Sequence, residues 1–188
     1  MGLLPSNKEI IPMETQDIYI ACLASYTNGI LYGRWISANQ SAEDIENEIY
    51  EMLEDSPVED AEEWAIHDYS GFSDINIGEY ENLETVVEYA DFISEHGDLG
   101  IALIAGYDFD EAKKMIEDDY HGVYDSEVEF AEQIVDECYG QLLPNNLAGY
   151  FDYQAFARDL FSYEYCSVRL DGNVHVFDKI QMLHYYVV

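Results

Sequence analysis

Residues 17–36 read DIYIACLASYTNGILYGRWI. Ile18, Ile20 and Cys22 recur at every second position, the period of a strand with one buried face. Asp17 to Ala24 is therefore expected to be extended. Thr27-Asn28-Gly29 follows, and Asn-Gly supplies the positive φ that a tight hairpin requires. From Ile30 to Ile36 the alternation resumes, with Leu31, Gly33 and Trp35 against Tyr32, Arg34 and Ile36. This segment is expected to return antiparallel to the first. The chain thus opens with a β-hairpin, a surface on which later helices can pack, and the class is α+β.

Working outward, the next segments read as helix. Ser41 can cap one, with Asp44 three residues later. Its apolar stripe is Ile45, Ile49, Met52 and Leu53. Glu63 to Asp68 is expected to be a strand with Trp64 and Ile66 on one side. A polar loop from Gly71 to Gly78 then marks a boundary. A helix is expected from Tyr80 to Ser94, burying Leu83, Val86, Val87, Ala90 and Ile93, with Gly97 as its terminator. Leu99 to Ala105 reads as a short apolar helix. Asp108 can cap a further helix to Asp119, with Glu111 at its third position and Phe109, Ala112, Met115 and Ile116 inward.

Gly122 to Asp125 is expected to be a short strand. Ser126 caps a helix through Cys138 whose inward side is Ala131, Ile134, Val135 and Cys138. Leu142 to Asn146 reads as a loop and Tyr150 to Leu160 as a short helix. Tyr165 to Leu170 and Val174 to Phe177 form a last hairpin about Asp171-Gly172-Asn173, with the Gly122 strand as a candidate neighbour. The expected division is a loose leader (1–16), a mixed α/β part (17–76), a small helical bundle (77–121) and a second mixed part (122–188). No internal repeat is visible.

Charge is the unusual property. The 188 residues carry 40 acids against 7 lysines and arginines, a net charge of -33. From Trp35 to Ala112 there are 23 acids and no lysine or arginine. Like charges at helical spacing cost a few tenths of a kcal/mol per pair, and a large net charge weakens the compact state. The pattern therefore points to selection for something other than stability. The acids also fall in rows. Asp44, Glu48, Glu51 and Asp55 share one helical face. Glu81, Glu84, Glu88, Asp91 and Glu95 share a second, and Glu129, Glu132 and Asp136 a third. A plain solvated face is the ordinary reading of any one row, and it loses ground when rows repeat without counter-charges.

The composition excludes several classes. Hydrophobic residues make up 48%, with 17 Tyr, 8 Phe and 2 Trp, too apolar and aromatic for a disordered acidic chain. Cys22, Cys138 and Cys166 are too few and too dispersed for a disulfide framework, and each is expected to be a small buried apolar group. A reducing, cytoplasmic setting fits them. No signal peptide and no 18-residue apolar run is present. The charge repels nucleic acid and anionic lipid alike. No GxSxG, HExxH, Walker A or GxGxxG sequence occurs, and His67, His96, His121, His175 and His184 are scattered. Asp108-Phe109-Asp110-Glu111 begins like a calcium loop, but no glycine stands at its sixth position. Neither catalysis, nor a metal, nor a cofactor is expected.

What remains is attraction to a basic partner. Duplex DNA carries about one charge per 1.7 Å of axis, so 33 charges correspond to roughly 56 Å of duplex. Carboxylates on a helix repeat about every 5.4 Å, one turn. Rows of them can imitate a phosphate backbone to a cationic, duplex-shaped channel. Such binding weakens as salt rises.

Three stretches resemble the ArdA-type antirestriction proteins: Ile18 to Trp35, Glu63 to Phe72 (EWAIHDYSGF) and Tyr150 to Leu160 (YFDYQAFARDL). Glu79 to Leu83 adds a weaker match. The resemblance implies an elongated homodimer of three small domains, encoded on a mobile genetic element. It implies mimicry of bent DNA in the DNA site of type I restriction-modification enzymes, chiefly the methyltransferase core, with the dimer contact in the last domain. It marks Trp35, Trp64, Asp68 and Tyr69, and the segment Asp152, Tyr153, Phe156, Ala157, Arg158, Asp159 and Leu160, as family-motif residues. Arg158, an isolated base amid acids, is expected to pair with a nearby carboxylate as a clamp, with a satisfied core ion pair and an exposed arginine as the alternatives. The leader and the apolar end from Met182 to Val188 depart from the pattern. Three other readings stand beside this one. One is an acidic binder of another basic protein such as a nucleoid protein. The second is a salt-adapted domain of unrelated function. The third is a carboxylate-type enzyme, which a cleft holding two close acids would favour.

Overall fold

The structure, a computed structural model, describes residues 15–140, 143 and 145–179. The expectations for the leader before Thr15 and for the end from Met182 to Val188 lie outside the described residues. The chain gathers into two compact units divided between Ile101 and Ala102. Each contains one three-stranded antiparallel sheet, so the composition is mixed α/β.

In the first unit β1 (Asp17–Cys22) leads into a one-turn helix α1 (Leu23–Thr27), then β2 (Gly33–Ser37). The antiparallel pairing is as expected, with Ile20 opposite Arg34 and Ile18 opposite Ile36. Ile18, Ile20 and Cys22 are fully buried. The connection differs from expectation. Leu23 and Ala24 leave the strand for α1, and Asn28-Gly29 terminates that helix instead of forming a hairpin tip. The Asn28 side chain donates to the Ala24 carbonyl at 2.8 Å, and the Gly29 N–H donates to the Tyr26 carbonyl. An αL glycine serves a helix end as readily as a turn. Sequence alone does not separate the two.

Helix α2 (Ala42–Glu54) starts at Ser41, whose Oγ accepts the Asp44 N–H at 3.1 Å. Its stripe of Ile45, Ile49, Met52 and Leu53 is buried, and the helix packs on β1 and β2. Each such side chain removed from water contributes about 1.5–3 kcal/mol, the force that offsets the self-repulsion of the surface. Strand β3 (Trp64–Ser70) pairs with β1, giving the order β2-β1-β3. Tyr19 faces Asp68 while Ile20 faces Ile66, so His67 is the extra residue of a bulge. Ala65 and Ile66 are both buried, a break in the expected alternation. The segment read as a polar loop is also more than that: Phe72, Ile75 and Ile77 are buried.

Helix α3 (Leu83–Gly106) begins three residues later than expected. The Asn82 side chain accepts the Glu84 N–H at 2.8 Å and so caps it. Leu83, Val86, Ala90 and Ile93 are buried, and Val87 is half-buried. At Gly97 the backbone leaves helical geometry, with φ 54° and ψ −136°, and helical turns resume beyond it. The glycine stop was legible; the resumption through Gly106 matches the expected apolar helix. A polar knot ties the unit together. Gln16, only 3% exposed, donates from Nε2 to the Gly71 carbonyl. Its Oε1 accepts from Asn39 Nδ2 at 2.9 Å and Ser94 Oγ at 3.1 Å.

In the second unit α4 (Phe109–Glu117) is capped by Asp108, which accepts the Glu111 N–H at 2.9 Å. Strands β4 (Tyr120–Tyr124), β5 (Tyr165–Leu170) and β6 (Asn173–Asp178) form the sheet in the order β4-β6-β5. The last hairpin turns at Asp171 and Gly172, both at positive φ, and the Gly122 strand is its neighbour. Helix α5 (Glu127–Ile134) is capped by Ser126 and continues as a π-helical segment, Val135–Tyr139. One turn, α6 (Asn145–Ala148), precedes α7 (Tyr153–Tyr163). Helices α5 and α7 pack together, joining Ala131, Ala157 and Leu160. Phe130 lies against Val174 and Val176, ringed by Tyr124, Phe161 and Tyr165.

Two expectations fail here. Cys138 is exposed instead of buried, because the π segment rotates it out of the α-helical register, and Cys166 is partly exposed. Only Cys22 is a buried apolar group. Burial pushes the Cys166 thiol up from its usual range.

Candidate acidic interface

The row on α2 is ordered by its neighbours. Asp44 Oδ2 accepts from Ser41 Oγ at 2.6 Å, Glu48 Oε1 accepts from Gln40 Nε2 at 2.7 Å, and Glu51 lies 3.6 Å from the Arg34 guanidinium. Asp55 is the helix C-cap. Asp44, Glu51 and Asp55 are exposed and Glu48 is half-buried. From Asp44 to Asp55 the row covers about 16 Å at 1.5 Å per residue. Glu51, Glu54 and Asp55 also crowd the C-terminal end of α2, whose own last turn carries no base, so that Arg34 from β2 answers only Glu51. Negative charge there opposes the helix dipole, at about 0.3–1 kcal/mol for each group.

On α3 the row's Glu84, Glu88, Asp91 and Glu95 are exposed, again spanning about 16 Å. Among the described residues no ion pair reaches them. Glu81 belongs to the sequence pattern but precedes the helix, and it is half-buried. Asn82 caps the helix, which therefore starts at Leu83 and leaves Glu81 in the preceding loop. In the second unit Glu129, Glu132 and Asp136 are exposed on one face of α5 and the π segment. Glu129 Oε2 is held by the Asp125 N–H at 2.6 Å.

Counter-charges are sparse. Among the described residues the lysine and arginine pairs are Arg34–Glu51, Lys114–Asp119, Arg158–Asp159 and Arg169–Glu127. Arg158 does not act as a clamp within the chain. It is 74% exposed and meets only its neighbour Asp159, at 3.8 Å, and adjacent residues on a helix do not face each other. Residues outside the three rows add to the field: Glu43, Glu46, Glu54, Glu59, Asp60, Glu62 and Glu63 are all exposed. The loop acids among them lack any periodicity, so no pattern in the sequence marks them.

The remaining motif residues are mainly structural. Ala157 and Leu160 are buried. Tyr153 lies against Phe151 with ring centroids 4.9 Å apart, and Phe151 against Phe156. Asp152 caps α7 by accepting the Ala155 N–H at 2.9 Å. Asp68 accepts the Tyr69 N–H, and Tyr69 packs edge-on to Phe72. Trp35 is 49% exposed and tilts against Tyr19. Trp64 is half-buried.

Among the described residues no three His, Cys, Asp or Glu side chains gather to hold a metal ion. No described helix is long and apolar enough to cross a membrane. Fold and surface together define an α+β protein that presents ordered carboxylates with few counter-charges. The family model described as Antirestriction protein (ArdA) matches residues 18–175, a range containing all three motif stretches. The chain belongs to the ArdA antirestriction family. Membership implies an antirestriction function and, with it, interaction with restriction enzymes. No curated protein matches the chain.

Proposed function

We propose that this protein blocks type I restriction-modification enzymes by occupying their DNA-binding channel, chiefly in the methyltransferase core, as a non-catalytic mimic of duplex DNA. The observation that carries this reading is the run of exposed acids on α2 and α3 within a 78-residue stretch that has no lysine or arginine. Those rows place carboxylates one helical turn apart on rigid elements, where side-chain partners already hold several of them. A channel built to neutralise phosphates meets a body of fixed anions and releases the counterions of both surfaces. No base edges are offered, so competition is for the backbone component of DNA binding.

The working form in this reading is a cytoplasmic homodimer encoded on a mobile element. Its dimer contact lies in residues 122–188, and each chain comprises the three parts 17–76, 77–121 and 122–188. The carboxylates that stand in for phosphates in this reading are the rows of α2, α3 and α5. The test is a competition titration in which labelled duplex is bound to a type I methyltransferase and displaced by this protein at several salt concentrations. Stoichiometric displacement in low salt, weakening steeply as salt rises, is expected. Failure to displace at equimolar protein in low salt defeats the proposal.

A further inference from the structure

Two shallow clefts in the first unit share the same pair of aromatic residues. One, of about 270 Å³, is lined by Glu46 of α2, Trp64, and Tyr80 to Glu84. The other, of about 370 Å³, is lined by Leu23, Glu62, Glu63, Trp64 and Tyr80. Trp64 and Tyr80 therefore border both. Tyr80 is 72% exposed, so its ring is open to contact. Its backbone is fixed on both sides. The Glu79 carbonyl accepts the Ile66 N–H at 2.9 Å, and the Glu81 N–H donates to the Gly78 carbonyl at 3.1 Å. The ring is thus displayed from a held loop.

We propose that this aromatic wall receives an arginine side chain of the basic partner. The partner's basic character is taken from the mimicry reading; the site itself is argued from its own chemistry. The glutamates lining the two clefts are Glu46, Glu62, Glu63, Glu81 and Glu84. No lysine or arginine lies between Trp35 and Ala112 to answer them, and Arg34, just before, is engaged with Glu51. Charge complementarity therefore selects a cation. The ring faces select among cations: a planar, weakly hydrated guanidinium stacks on indole and phenol, and tryptophan is the strongest such partner. A phosphate-like surface lacks this feature. It gives the complex a short-range contact that salt screens less than the diffuse attraction of the rows.

The test needs no restriction enzyme, so its failure is distinguishable from failure of the mimicry reading. The full chain, labelled with ¹⁵N, has two tryptophans and hence two indole N–H signals, with Trp35 as the internal control. It is titrated with a short glycine–arginine peptide and with its glycine–lysine counterpart, in 20 and 200 mM salt. The Trp64 signal is expected to shift saturably with the arginine peptide, more than with the lysine peptide, while Trp35 moves little. Tyr80→Ala, which keeps the net charge, is expected to weaken binding about threefold to tenfold, and Tyr80→Phe to leave it unchanged. Equal shifts at both indoles, or equal affinity of Tyr80→Ala and the parent chain, overturn the proposal in favour of diffuse attraction alone.

Discussion

Single residues in this protein divide into those that hold the fold and those that only face solvent. Gln16 is of the first kind. Its amide links the start of β1 to the loops after β2 and β3 and to α3, through Asn39, Gly71 and Ser94. Replacing it with leucine leaves the Gly71 carbonyl and the Asn39 amide without that partner in a nearly closed site. Gln16→Leu is therefore expected to cost about 1–3 kcal/mol in a denaturant titration. A loss below about 0.5 kcal/mol would mean that water takes over the contacts. Arg158 is of the second kind, although the motif drew attention to it. With only an exposed neighbour at 3.8 Å, Arg158→Met is expected to change stability by less than about 0.5 kcal/mol. A larger drop in melting temperature would restore the clamp.

At the scale of elements, the break in α3 and the partial burial of His175 on β6 matter most. Gly97 has open space around a would-be Cβ, so volume is no obstacle to substitution. Its φ of 54° with ψ of −136° is the obstacle, since a side chain strains that backbone. Gly97→Ala is expected to destabilise the protein by about 1–3 kcal/mol, measured by thermal or urea unfolding. An unchanged or raised stability would show the helix straightening through the site.

Burial holds His175 below the usual histidine range, and its Nδ1 lies 2.8 Å from the Tyr120 hydroxyl. A lowered histidine pKa means that the folded state binds the proton more weakly than the unfolded chain. The contribution is present above the unfolded value of about 6.5 and is lost as pH falls below it. Melting temperature is expected to drop between pH 7.5 and 5.5. The drop should be smaller in His175→Gln, and identical drops in the two proteins would refute the assignment.

For the whole molecule, salt acts with two opposite signs. The net charge of -33 sets the surface against itself, and the Debye length shrinks to about 8 Å at physiological ionic strength. Raising salt from 20 to 300 mM is expected to raise the melting temperature by relieving this repulsion, while weakening displacement of DNA from a methyltransferase. A protein stabilised by salt whose inhibition is indifferent to it would point to surface charge as adaptation, not as a binding device.

Much of this was legible from local chemistry. Ser41, Asp108 and Ser126 each cap a helix because a short side-chain oxygen can accept an N–H only a few positions ahead. The buried stripes of α2 and α3, the alternation of β1, the stop at Gly97 and the hairpin at Asp171-Gly172 are likewise set by neighbours within a few residues. So are the acid rows, since helical spacing turns sequence intervals into a face. The tertiary structure alone decided what depends on distant partners. His67 becomes a bulge only because β3 must register against β1. Phe72, Ile75 and Ile77 sink into a core that their polar surroundings conceal. Cys138 turns outward through a π segment. Trp64 and Tyr80, sixteen residues apart, come to line the same clefts. Periodicity reports which face a residue takes on its own element; which surfaces then meet is fixed by packing, and packing joins residues that sequence keeps apart.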